Sequence, residues 1–410
     1  MNTNYIALAI PIFFIMIFIE LLLTARQGKH YYRFNDAITD LSCGISQQSV
    51  YIFTKGILYA GYAYIYSNYA LFSFSKNSLL CWVVAFFGVD FCYYWWHRLS
   101  HQVNFLWAVH VVHHQSEDYN LAVALRQAWF SNITGFFFYL PLALLGIHPL
   151  VFITINSFST LYQFWIHTRA IGKLGALEHI INTPSLHRVH HGRNYKYIDK
   201  NHGATLMIWD KLFGTYQEEE EEPFYGTVKP YTSWNPLWAN IDYWAMLARD
   251  AWQAPYFIDK IKIWFMYPGW QPRDINKPAS IQTNADQRIR YFTSTPRGLN
   301  RYIFVQFWLV SLTISLLMLM PGRISTTQQL GLVAIITLTM LVWGGLFEKR
   351  FWAFPLELIR LALLAGIATF YTWHYNRLLP IGIVVTILFV IWLLRYRSLF
   401  FPTQPQTATA

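Results

Sequence analysis

Leu79-Leu-Cys-Trp-Val-Val-Ala-Phe-Phe-Gly-Val-Asp90-Phe-Cys-Tyr-Tyr94-Trp-Trp-His97-Arg-Leu-Ser-His101 reads as a membrane span that runs straight into a histidine box. Residues 79–96 hold a single charge, Asp90, and approach the ~20 residues that cross a bilayer as a helix. Residues three and four apart share a helix face. Asp90, Tyr94, His97 and His101 therefore form one stripe from the apolar interior to its surface. A carboxylate within a span is costly and calls for a partner. Two turns from His97, Asp90 is placed to accept an imidazole N–H and fix the ring's tautomer; the alternative is a helix-packing contact.

Three more boxes follow: His110-Val-Val-His113-His114, Gln163-Phe-Trp-Ile-His167 and His187-Arg-Val-His190-His191. Twelve of the 14 histidines lie between His97 and His202. HxxxH and HxxHH on helices aim two or three imidazoles at one spot. Neutral imidazole suits iron, zinc, copper or nickel. Eight or nine such ligands exceed the four of a structural zinc and suit two ions that each keep an open position. At a membrane surface, such positions point to activation of dioxygen and attack on a lipid C–H bond. We infer iron from ligand type and setting, with zinc an occupant that purified protein can carry.

Outward from this stretch the chain stays apolar. It is 55% hydrophobic and 19% aromatic, with 13% charged residues, well below the roughly 25% charge of a soluble domain. Apolar runs at 5–23, 45–66, 79–96, 129–147, 150–166, 302–320, 330–346, 356–373 and 381–394 predict an all-α polytopic membrane protein with about nine spans. The pair 129–166 is split only by Gly146-Ile147-His148-Pro149, so it reads either as two crossings or as a shallow hairpin. Arg26, Lys29 and Arg33 after the first span, against Lys76 alone between the second and third, place the first loop in the cytoplasm. The boxes then share the cytoplasmic side as a di-metal cap. Lys349, Arg350, Arg395 and Arg397 fall on that side too. The first run lacks a basic leader and a small-residue cleavage site, so it reads as a retained span. Cys43, Cys81 and Cys92 lie in or beside spans without paired spacing and suggest neither disulfides nor a thiolate site. The net charge of +10 suits loops facing an anionic leaflet; with no soluble basic domain, nucleic acid is a poor partner.

The residues that carry a family likeness are the four boxes together with Trp107-Ala-Val, Ser116-Glu-Asp-Tyr-Asn120, Ala124-Leu-Arg-Gln127, Asn182-Thr-Pro-Ser185, Gly192-Arg-Asn194 and Ile208-Trp-Asp-Lys-Leu-Phe-Gly-Thr215. In these the chain resembles the fatty acid hydroxylase / sterol desaturase superfamily of membrane di-iron enzymes. Within it, the likeness is greatest to the pterin-dependent, ether-lipid-cleaving alkylglycerol monooxygenase branch. The match is strong over roughly residues 80–230. The resemblance implies metal ligands at His97, His101, His110, His113, His114, His167, His187, His190 and His191. Gln163 stands where many relatives begin a third HxxxH box, which implies a place beside the metal rather than on it. His190, Asp90 and Gln163 are accordingly the catalytic candidates. Animal members of that branch carry a glutamate, associated with the pterin, where this chain has Gln102, and tyrosine where it has Asn201-His202. Gln102 joins Arg126 and Arg193 as candidate cofactor contacts; these arginines and Arg188 read as bidentate grips on an anionic headgroup or cofactor or as positive-inside anchors.

The implied cofactors are two iron ions and tetrahydrobiopterin; the implied partners are a membrane lipid, dioxygen and an electron donor. No flavin, haem or iron–sulfur domain is present, so the reductant is a free cofactor or another protein. The implied reaction oxidises the carbon beside an ether oxygen and yields a fatty aldehyde and a glycerol lipid. Other readings are oxidation of an acyl chain or sterol, and a metal transporter or inactive metal protein; transporters place ligands near the midplane, whereas these boxes gather at one surface. The location is the bacterial inner membrane or the endoplasmic reticulum.

The domains read as 1–78 N-terminal spans, 79–222 di-metal core, 223–300 a tryptophan-rich interfacial segment, 301–397 a four-helix membrane extension and 398–410 a disordered tail. Asp199 and Asp210 are further candidates for orienting histidines, Glu218–Glu222 reads as a solvated loop, and His30, His148, His179 and His374 read as structural.

Overall fold

The computed structural model describes residues 5–274, 289–319, 324–375 and 379–401. These residues form 15 α-helices joined by loops and short 3-10 turns. They divide into two compact units: residues 1–232 with 238–291, and residues 233–237 with 292–410.

In the first unit, helix α1 (Tyr5–Arg26) precedes a 36-residue helix α2 (Phe34–Tyr69), and α3 (Leu79–Gln102) follows. The stretch quoted above is thus one continuous helix that ends at its histidine box. One face of α3 is made of small residues, Cys81, Ala85, Gly88, Val89 and Cys92, at i, i+4, i+7, i+8 and i+11. Small residues let helices approach closely, and this face packs with Tyr62 of α2 and with Tyr139, Leu142 and Ile147. The Tyr62 hydroxyl donates to the Ile147 carbonyl at 3.1 Å. Two of the three free, buried cysteines therefore serve as small packing residues.

Helix α4 (Asn104–His114) carries the second box. Helices α5 (Ser131–Leu145) and α6 (Pro149–Trp165) are joined by the short turn at Gly146, and both pack on α2 and α3. Gly146 caps α5 at φ 96°, and a Cβ there would lie 1.9 Å from the Phe72 carbonyl oxygen. At 15 and 17 residues, these helices are about 22 and 26 Å long, short of a ~30 Å hydrocarbon core. The shallow-hairpin reading fits them. Helices α7 (Pro184–His190), α8 (Ile208–Leu212) and α9 (Pro236–Ala239) are short, and α10 (Asp242–Gln253) and α11 (Phe257–Phe265) form an amphipathic pair.

The first half of α2 is polar yet buried: Asn35, Asp36, Thr39, Asp40, Ser42, Ser46 and Gln47 all face inward. Arg126 answers this polarity by donating to Asp40 at 2.9 Å. Gly44 permits the contact behind it, since a Cβ there would sit 2.3 Å from the Leu125 carbonyl oxygen.

The second unit contains α12 (Arg297–Leu319), α13 (Thr326–Phe347), α14 (Ala353–Tyr375) and α15 (Leu379–Leu394). Its interior holds a charged pair. Arg360 donates to both oxygens of Glu357 at 2.6 Å, and Tyr302 and Gln306 of α12 also reach that carboxylate. Buried charges persist only when paired and hydrogen-bonded. Ordered chain continues past 398: Arg397–Leu399 makes a 3-10 turn and Phe400 is buried against Phe354. The remainder of the expected tail, 402–410, lies outside the described residues.

Among the described residues, four helices are long and apolar enough to cross a membrane: α1, α3, α12 and α13. Nine were expected. Helix α2 is long but rich in polar side chains and tyrosines, and α5, α6 and α15 hold only 15, 17 and 16 residues. The chain is an integral membrane protein; the nine-span count is not reached on these criteria.

Candidate metal centre

Nine imidazoles meet where the first unit's polar loops close over the ends of α3 and α4. His97 and His101 occupy successive turns at the end of α3. His110, His113 and His114 lie on the last turns of α4. His167 follows the end of α6, and His187, His190 and His191 line α7 and its C-terminus. Pro184 starts α7 at its first position, where a missing N–H is harmless.

The nine sort into two groups whose ligand atoms lie within 4.8 Å of one another: His97, His101, His110, His114 and His190, then His113, His167, His187 and His191. Helix periodicity explains the sorting. In each HxxHH box the i, i+4 pair enters one group and the i+3 histidine crosses to the other. The box on α4 gives two rings to the five-membered group and one to the four-membered group. The box on α7 does the reverse.

Backbone carbonyls fix four tautomers. Nδ1 of His97 donates to the carbonyl of His202 at 2.8 Å, and that of His113 to Arg126 at 3.0 Å. Nδ1 of His167 donates to Gln163 at 2.7 Å, and that of His190 to Lys200 at 2.9 Å. A carbonyl oxygen only accepts, so each of these rings holds its proton on Nδ1 and bears a lone pair on Nε2. The Nε2 atoms of His113 and His167 then face each other at 3.1 Å with no proton between them. Nε2 of His110 lies 3.0 Å from the Nε2 lone pair of His97, and Nε2 of His187 lies 3.0 Å from that of His167.

Lone pairs at that separation repel unless a cation lies among them. Metal–nitrogen bonds of about 2.0–2.1 Å give nitrogen–nitrogen edges of about 3.0 Å in an octahedron and about 3.3 Å in a tetrahedron, so the spacing fits a shared ion. Further buried ring nitrogens lack a protein partner: Nε2 of His101, His190 and His191, and Nδ1 of His187. The residues fit metal.

Electrostatics agree. Burial lowers the pKa of His113 to about 4 and that of His202 to about 3. Burial, reinforced by neighbouring histidines, holds His110, His114, His187, His190 and His191 well below the ordinary value. The rings are neutral, the form that binds metal.

The structure moves Asp90 away from the imidazoles. Its carboxylate accepts from the amides of Thr205 and Leu206 at 2.8 and 3.2 Å and from the Trp209 indole at 2.9 Å. Asp90 thus pins the 205–209 loop to α3. The expected hydrogen bond to a ring is replaced by His202's carbonyl, which binds His97. That carbonyl is itself held in place by Asp210, which accepts from the amides of His202 and Gly203 at 2.7 and 2.8 Å and from the Thr215 hydroxyl at 2.7 Å. Burial raises the Asp210 pKa to about 6, opposed by those hydrogen bonds. Gly203 is required here, because a Cβ would meet the Leu206 carbonyl oxygen at 2.4 Å.

Replacing Asp210 with alanine should leave two buried amides without an acceptor, at about 1–3 kcal/mol each, and let the His97 ring turn. The expected result is a 10–100-fold loss of metal affinity, the range for removing an outer-sphere partner, with Asp210→Asn less affected. Metal titration of the purified apoprotein checks this, and unchanged affinity in Asp210→Ala would refute it.

Other candidates fall as follows. Gln163 contributes its carbonyl to His167, while its side-chain amide donates to the Ser159 carbonyl. Gln102 is the last residue of α3, directly after His101. Arg126 does not reach outward. Its guanidinium is buried and donates to the Val112 carbonyl, Asp40 and Gln115. Arg193 donates to the Tyr225 carbonyl and lies over the Phe224 ring.

His202 sits among His97, His101 and His190 with both ring nitrogens lacking a protein partner, yet outside both groups. Asp199 approaches His101 at 3.6 Å. The acidic run is not a free loop: Glu219 forms a two-pronged pair with Arg188 at 2.7 and 2.6 Å, and Glu221 accepts from Asn194 at 2.8 Å. Sequence reasoning missed the carbonyls of Arg126, Lys200 and His202, since backbone acceptors leave no residue-type signature. It also missed Asn201, whose left-handed φ of 55° and bonds to Leu186 and Gln217 shape the loop that supplies two of them.

A family model described as fatty acid hydroxylase matches residues 82–215, the stretch that contains every box. The chain is 37% identical to alkylglycerol monooxygenase of Homo sapiens over 380 residues, 92% of this chain and 85% of that protein. It is 39% identical to the alkylglycerol monooxygenase of Xenopus tropicalis over 363 residues, 88% of this chain and 81% of that one. Similarity to the ornithine lipid hydroxylase of Rhizobium tropici is shorter: 32% identity over 144 residues, 33% of this chain and 40% of that protein. No solved structure matches the chain.

Proposed function

Because the chain belongs to the fatty acid hydroxylase family and parallels alkylglycerol monooxygenases over most of its length, we propose that this lipid monooxygenase is a di-iron enzyme that cleaves alkylglycerol ethers. The observation that carries the metal assignment is the pair of imidazole groups, with their Nε2 lone pairs turned toward one another. His97, His101, His110, His114 and His190 would hold one ion, and His113, His167, His187 and His191 the other. When bound, the ions supply dioxygen activation. One oxygen atom enters the C–H bond beside the ether oxygen, and the other leaves as water with two electrons and two protons from a reductant. The resulting hemiacetal collapses to a fatty aldehyde and a glycerol lipid.

This chain's residues hold the site in shape. The carbonyls of His202, Arg126, Gln163 and Lys200 keep Nδ1 protonated on four rings, so that Nε2 stays free. Asp90 holds the 205–209 stretch against α3, and Asp210 on α8 fixes the amides of His202 and Gly203. Tetrahydrobiopterin is the proposed reductant and Gln102 the residue that sets the dependence on it. The basic residues after α1 support a cytoplasmic centre.

The test supplies an alkylglycerol and oxygen-18 gas to membranes containing the protein, with and without tetrahydrobiopterin, beside a Gln102→Glu variant. Labelled fatty aldehyde, corrected for exchange with water, is the expected product. Label in another lipid would replace the ether substrate. Equal rates without pterin would remove that cofactor.

A further inference from the structure

Helices α10 and α11 leave an apolar face open to the surroundings. Trp252 is 84% exposed, Phe257 75% and Phe265 66%, and Ile258 and Ile261 are exposed beside them. On α11 the residues Phe257, Ile258, Ile261 and Phe265 recur at helical spacing and make one continuous stripe. The opposite faces are fully occupied. Leu247, Ala251 and Ile263 pack on Ala108 of α4, with Tyr243, Trp244 and Trp264 around them. A patch this apolar beside a membrane enzyme's site marks a binding surface.

Two observations say what covers it. The first is depth. Asn104 is the second residue after α3, a membrane-spanning helix, and it is tied to the α10–α11 pair by three hydrogen bonds. Its amide donates to the Met266 carbonyl at 2.8 Å, its side chain donates to the Ile263 carbonyl at 2.8 Å, and Tyr243 donates to its side-chain oxygen at 2.6 Å. The apolar stripe is therefore held level with the end of a span, where headgroups meet acyl chains. The second is charge. Among the described residues of α10 and α11, the exposed charged side chains are Arg249 and Lys262, both cationic. Asp259 is buried and paired with Arg273 at 3.0 Å. Aromatic and aliphatic side chains flanked by cations match a phospholipid interface.

We propose that the α10–α11 hairpin is a bilayer-interface seat: Trp252, Phe257, Ile258, Ile261 and Phe265 enter the headgroup–acyl boundary, and α4 with its three histidines rides on that seat. Because Ala108 lies two residues before His110 on the same helix, this seat fixes the height of the metal groups above the lipid. The inference does not depend on which lipid is oxidised.

Site-directed spin labels measure depth directly. Full-length protein carrying Phe257→Cys, Ile261→Cys or Phe265→Cys would be labelled in nanodiscs of phosphatidylcholine and phosphatidylglycerol. The three native cysteines are buried. Ile15→Cys on the exposed face of α1 gives a lipid reference, and Glu218→Cys gives a water reference. The expected result is a ratio of oxygen to nickel-chelate accessibility several-fold above that of Glu218→Cys at all three positions, and below that of Ile15→Cys. Accessibility equal to the water reference would overturn the proposal. So would labels shielded from both reagents, which would mean a protein partner or a second copy on this face. A labelled variant that fails to insert is judged by its two neighbours on the stripe.

Discussion

His190→Ala should abolish lipid oxidation and remove one metal ion while leaving the second in place. His190 belongs to the five-imidazole group, and its Nε2 is buried without a protein partner. Its Nδ1 is already bound to the Lys200 carbonyl, so the lone pair has no alternative direction. Alanine removes a ligand outright, a larger change than loss of an outer partner, which alone costs 10–100-fold in affinity. Metal affinity of that group should fall by at least about a hundredfold, and turnover should drop to background. His187→Ala gives the mirror result, since His187 belongs to the other group and contacts His167 at 3.0 Å. Elemental analysis of both purified variants, run beside the oxygen-18 assay, separates the groups. Loss of both ions in each variant would show that the nine rings act as a single cluster. Full activity in His190→Ala would sink the assigned site.

The boxes were legible because helical spacing and residue type carry the whole signal. Nothing more is needed to see that His110 and His114 share a face, or that His187 and His191 do. Even the exchange of one ring between groups follows from the HxxHH period, though which ring crosses was visible only in three dimensions. What failed to show in the sequence was the scaffold. Asp90 reads as a partner for His97 from spacing alone, yet a carboxylate can satisfy several loop amides at once, and the 205–209 loop offers three donors. Arg126 reads as an outward cation, but burial of Asp40 requires a counter-charge and draws the guanidinium inward. Glu218–Glu222 reads as a solvated run because its partners Arg169 and Arg188 are tens of residues away. The long polar half of α2 was masked for the same reason: its inward polarity makes sense only once Arg126 is seen against it.

Acidification should unfold the metal-free protein between about pH 6 and pH 4. The argument runs through proton uptake. In the unfolded chain a histidine titrates near 6.5, whereas in the fold His113 titrates near 4 and His202 near 3. Below pH 6.5 the unfolded state binds more protons, so stability falls as pH falls. At pH 5 each such ring costs about 2 kcal/mol. His110, His114, His187, His190 and His191 shift the same way, and a few rings together reach the 5–15 kcal/mol that holds a domain folded. Asp118 and Asp210 act in the opposite sense. Burial raises both to about 6, so the penalty on their ionised forms is relieved as pH falls through that value. Two carboxylates return about 3 kcal/mol each at most, and the histidines outweigh them. Bound metal competes with protons for the same lone pairs, so the loaded protein should unfold at a lower pH than the stripped protein and release its ions as it does. Thermal melts of both forms at pH 7, 6, 5 and 4, with released metal measured alongside, test the point. A melting temperature that stays flat from pH 7 to 5 in the stripped protein would mean that water reaches the rings and that their neutrality is not imposed by the fold.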